Sequence, residues 1–430
     1  MQIKKTKRYV FNLIEFGEGR LVMNIDVLFL GRLFPREKEK EIKNKMKTGL
    51  QDAANVLQWN IIDGFEENDI GRMKIINYLP IDAYPKGYED KFIEGFTFSH
   101  TDKYDAEDIN VHCCNIFGIK RFVNVLYFKR HIRRWAKQKS DKKKVLFSYT
   151  ANSMFLTLAK LAKKINPDIT IACLIADIPE YSTTTPPKGA KKLYHDFEVK
   201  KCAKLYSVVD KYILLTKQMA ERLGLTAPFT VMEGIANTQM PSANEELAEK
   251  YKNEKYVLYS GLLNVKFGIA TLLEAFGKIT DTDVKLILCG SGDGEELVYK
   301  KLKTDDRIVH LGRIDRKSVL ALQKNATILV NPRQNNEDFT KYSFPSKNME
   351  YLSSGVPVIA YKLDGIPDEY DDYILYPEDN SAEELYKKIK SVLKMTEEER
   401  QNIGEKARCF VFENKNKNKQ TQRIFEFIEK

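Results

Sequence analysis

Along most of this chain, short apolar runs bounded by turn residues alternate with longer segments whose apolar positions return every three or four residues. The runs read as buried strands and the periodic segments as helices. The first buried run is residues 25–30, followed by a turn at Gly31 and a helix over about 41–57. Strands follow at 74–78, 96–100 and 109–113, then a basic helix and a strand at 145–149. The alternation continues with a helix at 153–164, a strand at 169–175, a helix at 191–208, and strands at 211–215 and 229–232. After the polar stretch 234–255 a second series begins, with strands at 257–260, 284–289, 307–312, 326–330 and 356–361 and helices at 269–276 and 346–352. A strand at 373–376 and helices at 382–393, 396–412 and 420–428 close the pattern. Strands separated by helices give parallel sheets covered on both faces, so the pattern predicts an α/β chain with two such domains. The expected boundaries are an extension at 1–22, a first domain at 23–235, a linker at 236–255, a second domain at 256–412 and a final helical segment at 413–430.

The stretch 331–360 carries the richest chemistry. A strand stops at Asn331-Pro332, a polar loop follows, and a helix begins at Ser346 and ends before Gly355. A helix that starts beyond the carboxyl end of a parallel strand offers free backbone N–H groups and partial positive charge to an anion. Arg333, Lys341 and Lys347 surround it, with Ser343 and Ser346 as hydroxyl donors.

The segment Glu350-Tyr-Leu-Ser-Ser-Gly-Val-Pro-Val-Ile resembles the signature of retaining glycosyltransferases of family 4, whose GT-B fold faces two Rossmann-like domains across a cleft. Residues 342–347, Tyr-Ser-Phe-Pro-Ser-Lys, are similar to the variant found in bacterial polysaccharide and capsule enzymes. The resemblance implies a nucleotide-sugar donor, with UDP the expected nucleotide, bound in the second domain, and a last helix that crosses back to the first. It gives Glu350 the ribose hydroxyls. Gly261, Gly290 and Gly292 would line the donor turns, and the backbone at Arg313 and Ile314 would touch the base. Ser343 and the Phe344 backbone would meet the donor sugar, with Tyr342 and Ser346 beside them.

Three positions depart from the family. A second Glu is expected where Tyr342 stands, and a diphosphate-clamping Arg and Lys where Leu262 and Phe267 stand. Either Lys266 shifts into the clamp, or Arg333 and Lys347 replace it; the second is preferred, since guanidinium grips phosphate bidentately. Arg333, Lys347 and Glu350 are therefore the expected catalytic residues.

On the acceptor side the candidates are Gly31, which permits close backbone approach, His100 at a strand end, and Asp177 and Glu180 in the loop after the strand at 169–175. Asp177 could equally cap the turn before Pro179. No Ser-His-Asp or Cys-His set assembles from the loops. No Asp-x-Asp or Cys/His spacing suggests a metal, and no cofactor is expected beyond the donor itself.

The 430 residues carry a net charge of +10. Between 120 and 144, eleven Lys or Arg face one acid, Asp141. Phe122, Val125, Phe128, Ile132 and Trp135 give that helix an apolar stripe, so it either packs on its own sheet with a solvated basic face or lies on anionic lipid. No nucleic-acid motif accompanies the charge, and none is expected as partner. The six cysteines are scattered and read as reduced. Without an apolar run long enough to span a bilayer or a recognisable signal peptide, the protein is expected in the cytoplasm, at most peripheral to the inner membrane face. The function expected is transfer of a sugar to a glycan or lipid-linked acceptor in cell-surface polysaccharide synthesis. A sugar-nucleotide- or glycan-binding relative without activity, and a sugar-nucleotide epimerase, stay open.

Overall fold

The computed structural model describes residues 24–48, 52–178, 180, 188–238, 245–336 and 338–430. The expected extension at 1–22 lies outside them. The first series contains β1 (Ile25–Gly31), β2 (Gly71–Asn77), β3 (Phe92–Ile93), β4 (Phe96–Phe98), β5 (Asp108–Asn110), β6 (Cys113–Cys114), β7 (Lys143–Tyr149), β8 (Thr170–Ile175), β9 (Lys211–Leu214) and β10 (Phe229–Val231). Its helices are α1 (Glu39–Asn44), α2 (Asp52–Glu67), α3 (Lys120–Lys137), α4 (Ser153–Ile165), α5 (Ala190–Leu205) and α6 (Gln218–Arg222). Eight strands form one sheet in the order β10-β9-β8-β7-β1-β2-β5-β4, parallel except for β4. Both faces are apolar, as a sheet covered by helices requires: Leu28, Leu30 and Leu146 pack under α3 and α4, while Val27, Phe29 and Phe147 pack on the other side.

The second series contains α7 (Glu245–Glu249), β11 (Lys255–Ser260), α8 (Ile269–Gly277), β12 (Val284–Cys289), α9 (Glu295–Leu302), β13 (Ile308–Gly312), α10 (Arg316–Asn325), β14 (Ile328–Asn331), α11 (Ser346–Leu352), β15 (Val358–Ala360), α12 (Ala382–Leu393), α13 (Glu397–Asn414) and α14 (Lys417–Glu429). Its five strands run in the order β13-β12-β11-β14-β15, all parallel.

Some expectations need correction. The helix placed at 41–57 is two helices, and α2 runs ten residues further because Trp59, Ile62 and Phe65 continue the buried stripe. The strand expected at 373–376 makes only an isolated bridge, Leu375 to Ile359. In α3, Phe128, Ile132 and Trp135 are buried, but Phe122 is half exposed and points away from the sheet.

The last helix returns to the first sheet. Ile424, Phe425 and Ile428 are buried in its core, with the Phe425 ring 4.9 Å from Phe65 and 5.8 Å from Phe147. At the crossing, the fully buried Lys415 ammonium lies 2.6 Å from both Glu233 and Glu369, and Tyr370 donates to Glu233 at 2.6 Å. Glu233 follows the first sheet and Glu369 belongs to the second series, so Lys415 links the two at the crossing, and removing one partner would leave an uncompensated buried charge.

Candidate active site

In parallel sheets the crevice lies beyond the carboxyl ends of the strands. Here the two sheets turn those ends toward one another. Thr216, just after β9, donates to Lys341 O at 2.9 Å, and Gln218 at the start of α6 reaches Asp364 O. Tyr342 packs its ring against the first sheet's core. The position that was expected to serve the donor therefore contributes to the seam between the sheets.

On the second sheet, the turns after β11 and β12 interlock through glycine. A Cβ on Gly290 would lie 1.8 Å from Gly261 O, and one on Gly292 2.2 Å from Asn264 Oδ1. Only glycine lets these backbones approach so closely. Gly261 N donates to Cys289 O at 2.9 Å, and Gly290 N to Gly312 O at 2.7 Å. The second bond ties in the turn that carries Arg313, whose side chain reaches Ser291, and the half-buried Ile314.

Against these turns stand the cations. Lys347 lies on the first turn of α11, its Cε 3.8 Å from where a Gly261 Cβ would be. Arg333, two residues past β14, stacks over Phe339 at 4.7 Å and Phe267 at 5.5 Å, and Lys266 shares both rings at 5.9 and 5.2 Å. Phe267, where the family sets a Lys, is thus part of an aromatic bed that holds two other cations. Arg333 Nη2 donates to Ser343 Oγ at 2.9 Å, while its Nε is buried without a partner. Burial lowers the Arg333 guanidinium to about 10, offset in part by Tyr259. A cation stripped of water and incompletely hydrogen-bonded is prepared to receive an anion.

Glu350 is set by three neighbours. Its Oε1 accepts from Lys347 Nζ and from Gln323 Nε2, each at 2.7 Å, and Arg316 lies 3.6 Å from Oε2. Burial pushes this carboxyl up, but Lys347, Gln323 and Arg316 outweigh it and hold Glu350 below its ordinary value. It is ionised at neutral pH, an acceptor for hydroxyl donors and unsuited to be a general acid. Gln323 also donates to Ser260 Oγ at 2.9 Å, tying the group to the end of β11. Ser346 is exposed at the start of α11, whereas the Phe344 ring is buried on Tyr370 at 5.1 Å, leaving only its backbone for a ligand.

On the first sheet, Gly31 ends β1, and Asp177 follows β8. Asp177 stays open to water yet is hemmed in by protein, and that desolvation pushes its carboxyl up. Glu180 lies 3.8 Å from Arg222. His100 is a correction. Because β4 is antiparallel, residue 100 falls at the amino ends of the parallel strands, far from the crevice. There His100 is buried between Asp108 at 2.6 Å and Glu66 at 3.2 Å. A cavity of about 610 Å³ opens at that same end, lined by Asp26, Lys74, Tyr104 and Trp135 among others, and holds none of the expected site residues. Among the described residues, no three His, Cys, Asp or Glu side chains gather as a metal ion would require.

Residues that sequence reasoning missed are Gln323, Tyr259 and Phe339, which no motif marks, since each acts through a neighbour that folding supplies; Phe267 stands out in the sequence only as the absence of a lysine.

Residues 243–410 match the family model for glycosyl transferases group 1. No curated protein matches the chain closely in sequence. Among solved structures, the chain is similar to sucrose-phosphate synthase from Thermosynechococcus elongatus, with TM-score 0.61 and 14% identity over 94% of this chain and 98% of that one. It is also similar to Anabaena HepE, solved with UDP, at TM-score 0.57 and 13% identity over 95% and 100%. The lipopolysaccharide outer core galactosyltransferase WaaB gives TM-score 0.57 and 14% identity over 94% and 99%. The chain has the GT-B fold along its whole described length, and its second sheet with the surrounding helices is the part that matches glycosyl transferases group 1.

Proposed function

We propose that this protein is a metal-independent, retaining glycosyltransferase that moves a sugar from a UDP-sugar to a glycan or lipid-linked oligosaccharide during surface-polysaccharide synthesis. The observation that carries this reading is the convergence of Arg333, Lys266 and Lys347 on the interlocked glycine turns, with ionised Glu350 beside them. Glu350 binds the ribose hydroxyls. Arg333 and Lys347 neutralise the departing diphosphate, and preorganised charge of this kind is usually the largest single catalytic contribution. Acceptor attack comes from the same face as the leaving phosphate, which helps to take the acceptor proton. The HepE structures with UDP and with UDP-glucose support a uridine nucleotide.

Thermal stabilisation by a panel of UDP, GDP, ADP, TDP and their sugars tests it, with Glu350→Ala beside the wild type. A ligand at 100 times its dissociation constant adds about 2.7 kcal/mol. A shift for UDP compounds, lost in the variant, is expected; no shift with any nucleotide overturns the reading. Tyr342 and Leu262, standing where the family has charged residues, favour a binding protein without turnover as the second reading. Donor consumption only in the presence of acceptor separates the two, and acceptor-free conversion would indicate an epimerase.

The same proposal places the protein on an anionic membrane through α3. No helix among the described residues is long and apolar enough to cross a bilayer. The outward stripe of α3 is apolar in its first half, with Phe122 50% and Leu126 61% exposed, and basic in its second, with Arg130, Arg133 and Lys137. Leu193 and Phe197 of α5 are 74% and 49% exposed, and Lys201 bridges Phe122 to Phe197 at 5.3 and 5.9 Å. Apolar insertion rimmed by lysine and arginine suits anionic headgroups, each cation contributing about 1 kcal/mol. Reversing Arg130, Arg133, Arg134 and Lys137 should release the protein from anionic vesicles while leaving UDP binding intact.

A further inference from the structure

We propose that the carboxyl end of the first sheet holds a second anion site, formed by Arg32, Lys120 and Arg121, that takes the phosphate of a phosphorylated acceptor. It rests on the glycosyl-transfer reading for its biological role, but not for its chemistry.

The position comes from the topology. Arg32 directly follows β1, Tyr78 follows β2, Tyr149 ends β7 and Asp177 follows β8, so these residues surround the carboxyl ends of parallel strands. Arg32 and Lys120 stand over the same Tyr78 ring, at 5.9 and 5.2 Å. Arg121 follows Lys120 on the first turn of α3 and leans over Tyr194 at 5.8 Å.

The cluster is short of negative charge. Arg121 is paired with Glu198, which also accepts from Ser153 at 2.7 Å. Among the described residues, Lys120 Nζ donates only to neutral oxygens, Ile81 O at 2.6 Å and Asn115 Oδ1 at 2.7 Å. The Arg32 guanidinium donates to none of the described residues, and its Nε is buried without a partner. The exposed Asp82 is the nearby carboxylate that Arg32 and Lys120 feel, and it forms no ion pair with either. Burying cations without an anionic partner is costly, and Arg32 and Lys120, converging beside the already paired Arg121, leave that cost unrelieved.

The helix adds to it. The first turn of α3 carries Lys120 and Arg121 and no acid, and its N-cap, Ile119, makes no side-chain cap bond. Cations at the positive end of a helix are unfavourable by themselves. An anion bound here would relieve the repulsion among the side chains and the helix end together. Burial and the two arginines hold the Lys120 ammonium down to about 8, partly offset by Cys113 and Asp82. A phosphate oxyanion fits the guanidinium fork, and the donor's diphosphate is engaged separately on the other sheet.

Inorganic pyrophosphate titrated calorimetrically into the full chain, with UDP held at saturation, reads this site alone. Wild type should bind it, Arg32→Gln and Lys120→Met should each bind about tenfold more weakly or worse, and Arg32→Lys should recover part of the loss. UDP affinity and melting temperature should stay near wild type in all three, which separates lost binding from lost folding. The same titration in an Arg333→Met background, without UDP, keeps failure of this site distinct from failure of the donor reading. Unchanged pyrophosphate affinity in Arg32→Gln would overturn the proposal, as would complete displacement of pyrophosphate by UDP. Loss of anionic-vesicle binding in Arg32→Gln would assign these cations to lipid headgroups and overturn it too; retained vesicle binding is expected.

Discussion

Two polar clusters occupy opposite ends of the strands, and they are built on opposite principles. At the amino ends of the first sheet, His100 is buried between Asp108 and Glu66. Asp108 also accepts from Ile75 N and His100 N, each at 2.8 Å, and Glu66 accepts from Tyr104 at 2.7 Å. Each ring nitrogen has a carboxylate partner, so the cluster is closed. At the carboxyl ends of the second sheet, Arg333 leaves a buried Nε unbonded and stacks on aromatic faces that can support but not neutralise it. That cluster is open. A closed buried network fixes structure, whereas an open one keeps bonding capacity for something that arrives later.

The sharpest way to break this comparison is to truncate one member of each cluster and measure both stability and transfer. On the proposed reading, Arg333→Ala removes a cation that neutralises the departing diphosphate. Its kcat/KM should fall about 10²- to 10³-fold, or roughly 3–4 kcal/mol of transition-state stabilisation. Its melting temperature should change little, because the native arginine is only partly satisfied. A variant that keeps its activity, or one that loses activity only because it unfolds, would erase the distinction.

His100→Asn should do the reverse. It leaves two carboxylates facing one another, each without its imidazole partner, at a cost of about 3 kcal/mol, while UDP affinity stays at the wild-type value. The titration of this group carries a second signature. Burial alone would lower the imidazole, but Asp108 and Glu66 raise it to about 9. A group whose pKa is raised on folding contributes its full stability below its unfolded value, about 6.5. That contribution is lost as the pH rises through about 9. Urea midpoints should therefore fall between pH 7 and 10 in the wild type by an amount absent from His100→Asn; parallel pH profiles would show that the imidazolium is not what binds the cluster.

The comparison also explains what the sequence made legible. Parallel sheets need strands buried on both faces, so β1, β7, β8, β11 and β12 stand out as apolar runs and the two-domain α/β plan could be read directly. Direction is not written in such a run. Residues 96–98 were recognisable as a strand, but nothing local shows that the strand is antiparallel, and that one fact carries His100 from the crevice to the far end. Side-chain stripes are similarly ambiguous at helix ends: Phe122 continues the three- and four-residue steps that lead to Phe128 and Ile132, yet it is half exposed and lies against Lys201 of α5. Glu350 and the Gly261 turn stood out as candidates because each lies in a short contiguous motif. Phe267 and Tyr342 looked like losses of function by position, and only their contacts show that one supports Arg333 and Lys266 and the other packs across the seam. Arg32 is a single arginine after a strand; its meaning comes from Lys120, nearly ninety residues later and over the same ring.

Backbone strain gives the smallest test of the same contrast. Among the described residues, three other than glycine have positive φ: Asp69 at 56°, Glu107 at 50° and Thr150 at 77°. The first two stand at the amino ends of β2 and β5, where Asp69 belongs to a residue type that tolerates the left-handed region. Thr150 is β-branched, stands at the carboxyl end of β7 beside Tyr149, and is held by N–H donation to Leu174 O at 2.8 Å and by Ser148 Oγ donating to its carbonyl at 3.0 Å. Such a residue stores on the order of 1–3 kcal/mol of strain. Glycine would release it, less about 0.5–1 kcal/mol of added chain entropy in the unfolded state, so Thr150→Gly should stabilise the protein by roughly 1 kcal/mol, or about 1 °C in melting temperature for a chain of 430 residues. If strain is concentrated where ligands bind, this gain should come with weaker acceptor use, seen as a higher KM at unchanged UDP affinity. A loss of stability in Thr150→Gly would mean that the threonine side chain makes compensating contacts, and the carboxyl end of β7 would then belong with the closed architecture of the His100 end.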